Sequence, residues 1–88
     1  MLAVVLPTLD TPAALCRVLD ELPEAIAAFV VDDGSEVPVE GIRPRRYTTW
    51  LRHGENRGYG AAQKTGFAAA LQAGATRVVL LHGDGQYE

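Results

Sequence analysis

Cysteine is nearly absent from this sequence of 88 residues: Cys16 stands alone. An internal disulfide is thereby excluded, and a reducing compartment, the cytoplasm, is the expected location. Long apolar runs are missing too, since the longest, residues 25–31, has seven residues where a membrane-spanning helix needs about twenty. No basic-then-apolar stretch opens the sequence, so a secretory signal is not expected there. Basic charge is also scarce. Eight Lys and Arg face eleven Asp and Glu, the net charge is −3, and the arginines are scattered apart from Arg43, Arg45 and Arg46. That distribution argues against a nucleic-acid surface. What remains is ordinary: 48% hydrophobic and 22% charged residues describe a globular chain, neither disordered nor membrane-embedded. Its length allows one domain at most, burying roughly two-thirds of the unfolded surface.

Two periodicities alternate along the chain. Ala3-Val4-Val5-Leu6 is a continuous apolar run ended by Pro7, which reads as a first buried strand. Thr11 can cap a helix whose first turn begins at Pro12. Leu15, Val18, Leu19 and Leu22 then fall at i, i+3, i+4 and i+7, a stripe facing a sheet, and Pro23 stops the helix. Cys16 at the edge of that stripe is a small packing residue, because no neighbouring group would lower its pKa. Residues 27–31 form a second buried strand. Residues 38–46 read as a loop whose three arginines are solvated. Residues 47–51, β-branched and aromatic, form a third strand nearer an edge. A glycine-bearing loop leads to a helix over residues 60–73, lined by Ala61, Ala62, Gly66, Ala69, Ala70 and Ala73 and closed by Gly74. Val78-Val79-Leu80-Leu81, without polar alternation, reads as a strand buried on both faces. The expected fold is α/β: a parallel sheet of about four strands flanked by helices and wound by right-handed crossovers.

Polar turns follow each strand. In an open parallel sheet ligands sit beyond the carboxyl ends of the strands, so residues 7–11, 32–35, 56–60 and 82–88 share one rim. Adjacent carboxylates at Asp32 and Asp33 are costly unless donors or a cation meet them, although a plain turn with Gly34 explains them equally well. The helix start at Gly60 presents unpaired amides and the positive end of a dipole, which favours phosphate. Asp84, between Gly83 and Gly85, stands where a bound ion would be met. A nucleoside diphosphate with Mg2+ or Mn2+ suits such a rim, since Mg2+ is held by one or two carboxylates and completed by phosphates and water.

Leu6-Pro7-Thr8-Leu9-Asp10, Val30-Val31-Asp32-Asp33-Gly34-Ser35, Asn56-Arg57-Gly58-Tyr59-Gly60-Ala61-Ala62 with Gly66, and His82-Gly83-Asp84-Gly85-Gln86-Tyr87 together resemble the amino-terminal half of a family 2 glycosyltransferase with the GT-A fold. The likeness is to the branch of dolichyl-phosphate mannosyltransferase-like, polyprenyl-phosphate sugar transferases. It rests on four ordered motifs across nearly all 88 residues. The resemblance implies a Rossmann-like donor half that binds a nucleotide-diphosphate sugar. Pro7, Thr8 and Asp10 would border the base, Asp32 and Asp33 would contact base or ribose, and Asn56, Gly58, Gly60, Lys64 and Gly83 would lie beside the nucleotide. Asp84 would hold Mg2+ or Mn2+ as the second aspartate of the Asp-x-Asp motif. The transfer would be of a hexose to a lipid phosphate or glycan, at the cytoplasmic face of a membrane in the full-length enzyme.

Departures from the pattern have consequences. His82 takes the place of the motif's first aspartate, and Asp10-Thr11 replaces Asn-Glu. No residue here matches the acceptor-binding half or the general base, so residues 1–88 are expected to be a partial domain, inactive alone, without a catalytic residue of its own. Self-association through an exposed sheet edge is expected. Two rival classes are weighed. Gly58-x-Gly60-x-x-Gln63 is an incomplete dinucleotide fingerprint, pointing to an oxidoreductase domain, but it lacks the third glycine and follows the third strand instead of the first. A non-enzymatic receiver-like Mg-binding domain could use Asp32 and Asp33, but Leu51-Arg52-His53 supplies no phosphoacceptor aspartate.

Overall fold

The computed structural model describes residues 1–81; Gly83 and Asp84 lie outside the described residues. Its elements run β1 (Leu2–Thr8), α1 (Pro12–Glu21), β2 (Ala27–Asp32), β3 (Thr48–Arg52), α2 (Tyr59–Gln72) and β4 (Arg77–Leu80). The strands form one sheet in the order β3-β2-β1-β4, every pairing parallel. The expected α/β architecture is thus observed. The chain steps outward from β1 to β2 to β3, then returns through α2 to the other side of β1. Strand direction of travel therefore reverses between β1 and β4, which makes that junction the switch point of the sheet.

Alternation along the strands divides the core in two. Val4, Leu6, Ala28 and Val30 join Leu15, Val18 and Leu19 of α1 on one face. Ala3, Val5 and Phe29 meet Ala70 and Phe67 of α2 on the other. The expected α1 stripe is the buried one. Of the small residues expected to line α2, Ala62, Gly66 and Ala70 are buried, Ala61 and Ala69 are half-buried and Ala73 is exposed, and a Cβ on Gly66 would collide with the Val5 side chain. Close approach of this helix to β1 requires a glycine there. At its end, the Gly74 amide donates to the Leu71 carbonyl and the Ala75 amide to that of Ala70, with φ +95° at Gly74. This is a Schellman closure, which only a residue tolerant of left-handed geometry supports.

Four local expectations are corrected. Pro7 does not end β1 but lies within it, paired with Val31. The Asp33 amide donates to the Thr8 carbonyl while that of Leu81 donates to Val5, so Pro7's nitrogen faces the β4 side, beyond the last paired residue, Leu80, where no ladder donor is needed. Thr11 occupies the N-cap position of α1 without a capping bond from its side chain; its hydroxyl lies 3.1 Å from that of Thr8. Residues 78–81 are not buried on both faces: Val79, beside Val4 on the α1 side, is 45% exposed. Helix α1 lies over β1 and β2, and its core cluster reaches past β1 only through Leu81. Arg45 is not a solvated loop arginine, for its guanidinium donates to the carbonyls of Pro23, Ile26 and Arg46 and to the Thr48 hydroxyl. It thereby fastens the turn before β2 to the start of β3. Arg43 pairs with Asp20 at the surface, as a solvated arginine would. No helix among the described residues is long and apolar enough to cross a membrane.

Candidate functional site

The carboxyl ends of β1, β2 and β3 bring three polar loops to one edge. Asp32 and Asp33 are consecutive residues at the end of β2, so their side chains leave opposite faces of the sheet. This divergence relieves the repulsion expected of neighbouring carboxylates. Asp32, 2% exposed, accepts from the amides of Ser35 (2.8 Å) and Val39 (3.2 Å) and from the Arg52 guanidinium (2.6 Å). Arg52 reaches it because the parallel register sets these two residues side by side, and its second arm donates to the Ser35 carbonyl. Burial opposes ionisation of Asp32, but the bonds from Ser35 and Val39 and the Arg52 charge outweigh it and hold the pKa below the usual carboxylate value.

Asp33, 4% exposed, turns toward the glycine loop instead. It accepts from the amides of Arg57 (3.0 Å) and Gly58 (2.9 Å) and from His53 Nδ1 (2.7 Å). Burial again raises its pKa, and the Arg57 amide, His53 and the Gly58 amide together bring it below the usual value. Both carboxylates are therefore ionised and met by donors of the protein itself. Their observed work is to fix the loops that follow β2 and β3, which is the turn-forming alternative extended to long range.

The remaining residues singled out in the sequence fall around this pair. Pro7 lies within β1 and Thr8 is its last residue, and both are buried. Asp10, at φ +52°, donates its amide to the Ser35 hydroxyl and accepts the Glu36 amide on Oδ1, both at 2.9 Å, which ties the β1–α1 loop to the β2 loop. Asn56 is exposed and accepts the Gly58 amide on its side-chain oxygen. Gly58 is the N-cap of α2 at φ +96°, a backbone region that glycine alone enters readily. A Cβ at Gly60 would meet nothing within 4 Å, so open space lies over the first turn of α2. Lys64 is exposed on the second turn.

The three loops are thus joined edge to edge: Asp10 to Ser35 and Glu36, Asp33 to Arg57 and Gly58. Helix α2 starts from this seam with no acidic residue in its first turn, but the ionised Asp33 carboxylate already meets that end through the amides of Arg57 and the N-cap Gly58, compensating the positive end of the dipole. Among the described residues no group of three His, Cys, Asp or Glu could hold a metal ion. The metal ligand expected from sequence, Asp84, lies outside the described residues.

Ser35, Arg52, His53 and Thr65 belong to the site although no binding role was read for them. Arg52 carried no pattern signal, since its importance comes from register with Asp32. Thr65 was visible as a hydroxyl beside the small-residue stripe of α2, but only the fold places it 2.8 Å from His53 Nε2. Comparison with protein-family models, with curated proteins and with solved structures finds no match to this chain.

Proposed function

We propose that the rim binds the diphosphate of a nucleotide sugar, and that the chain is the donor-binding part of a family 2 glycosyltransferase transferring a hexose to a lipid phosphate or glycan acceptor. The observation that carries the reading is the fastening of three loops into one seam at the carboxyl edge of a parallel sheet, beside its switch point between β1 and β4. The seam leads into the first turn of α2, whose amides favour phosphate. Three of the motifs that resemble the family, residues 6–10, 30–35 and 56–62, lie at or beside this edge, and the fourth follows β4 in sequence, outside the described residues.

In this reading Pro7, Thr8 and Asp10 bound the base side, while Asn56, Gly58, Gly60 and Lys64 line the phosphate side. Asp32 and Asp33 shape both loops through backbone amides and leave base and ribose to groups that the loops present. Asp84, with Gly83 beside it, would hold Mg2+ or Mn2+ against the diphosphate. Such an ion supplies Lewis-acid neutralisation of a departing diphosphate. The described residues contribute orientation and amide donors.

Calorimetric titration with UDP, GDP and NAD, each with and without Mn2+, tests the reading. Binding of UDP or GDP that strengthens with Mn2+ is the expected result. Tight metal-independent NAD binding would replace it with a dinucleotide-binding domain, and binding of Mn2+ together with a phosphoryl analogue, but no nucleotide, with a receiver-like one.

A further inference from the structure

Three side chains from three elements form one hydrogen-bonded file. Asp33 follows β2, His53 follows β3, and Thr65 lies on the second turn of α2. His53 Nδ1 is 2.7 Å from Asp33 Oδ1, and its Nε2 is 2.8 Å from Thr65 Oγ1. Both side chains, of His53 and of Asp33, are 6% exposed. The same carboxylate carries the amides of Arg57 and Gly58. We propose that His53 and Thr65 are positioning residues for the glycine loop: they aim the Asp33 carboxylate so that it holds the amides of Arg57 and Gly58, and through that loop they set the affinity of the rim for a nucleoside diphosphate. The affinity clause rests on the reading of the rim given above; the loop clause does not.

Hydrogen-bond chemistry dictates the direction of the file. An ionised carboxylate only accepts, so the ring proton is on Nδ1 and Nε2 of the neutral ring must accept from the Thr65 hydroxyl. Protonation of the ring would reverse the hydroxyl, which can accept as well as donate, without breaking either contact. A hydroxyl at position 65 is therefore the group that satisfies the ring in both states. The order hydroxyl, imidazole, carboxylate is also that of an activated nucleophile. Here the other contacts of the carboxylate are loop amides, so its effect falls on backbone placement. Removing the hydroxyl frees the ring to turn, the carboxylate loses its brace, and the loop it carries loosens.

The test uses the whole chain as wild type, Thr65→Val and Thr65→Ser. Hydrogen exchange at the Arg57 and Gly58 amides, followed by NMR, should accelerate about tenfold in Thr65→Val while the amide of Leu6 in central strand β1 is unchanged. UDP or GDP with Mn2+ should bind about fivefold more weakly to that variant, the loss of one ordinary hydrogen bond. Thr65→Ser should restore both. Unchanged exchange at Arg57 and Gly58, or acceleration shared equally by Leu6, would overturn the proposal. Should Thr65→Val fail to fold, the 15N shifts of the wild-type His53 ring decide: a neutral ring protonated on Nε2 contradicts it, and one protonated on Nδ1 supports it. Should wild type bind neither nucleotide, the reading of the rim fails, while amide exchange still decides whether His53 and Thr65 position the loop.

Discussion

Gly34 and Asn56 approach each other so closely that a Cβ on the glycine would stand 2.6 Å from the asparagine backbone nitrogen. The β2 loop therefore rests directly on the loop that precedes α2, backbone against backbone, and Gly34 adopts φ +88° to permit it. Two requirements coincide at this residue, one of conformation and one of space.

Gly34→Ala should accordingly lower stability by about 3 kcal/mol, since neither the φ nor the collision can be relieved by turning a side chain. Gly58→Ala, where φ is +96° but a Cβ would meet nothing within 4 Å, should cost less, about 1 to 2 kcal/mol. Urea denaturation of the two variants measures the difference, and equal losses would mean that the contact between the loops is not formed in solution.

Acid should unfold this protein through Asp32 and Asp33. Each is held below the usual carboxylate pKa by the donors around it, so each contributes stability that is fully present above the unfolded pKa and is lost as pH falls through the folded one. Stability should be level with respect to these two groups from neutrality down to about pH 5, then decline steeply below about pH 4. Urea midpoints against pH would show this. Asp33→Asn should be less stable at neutral pH and should flatten the acid decline; a variant with an unchanged acid slope would remove Asp33 from the explanation.

Strand β4 is an open edge among the described residues. Because the Leu81 amide donates to the Val5 carbonyl, the amides and carbonyls of Val78 and Leu80 face outward, beside the half-exposed Val79 and Leu2. Unpaired backbone next to exposed apolar surface invites a second copy of the chain. Sedimentation velocity should show an association that grows with concentration and is suppressed by Val79→Lys, with little change in the urea midpoint. A wild type that stays monomeric at high concentration would refute the expectation.

Periodicity alone located every element to within about two residues. The α1 stripe, the small-residue face of α2 and its Gly74 closure were all legible, because each depends on spacing within one segment. Exposure of β4 is not written in its apolar run, which records what a strand can bury, while the cover over it depends on where α1 lies. Nor is the role of Arg45, since its carbonyl partners at Pro23 and Ile26 lie far along the chain. The position of Pro7 followed from strand order, which shows which side of β1 needs donors.

By itself the sequence determined an alternating α/β chain, with acidic and glycine-bearing turns at the carboxyl ends of its strands, because those features are written in local pattern. Only the tertiary structure decided what the acidic pair does. Register placed Arg52 beside Asp32, and chain return through α2 placed Thr65 behind His53, so two carboxylates adjacent in sequence serve opposite faces of the sheet. The cause is geometric: consecutive strand residues point apart, and each meets donors brought there by a different element.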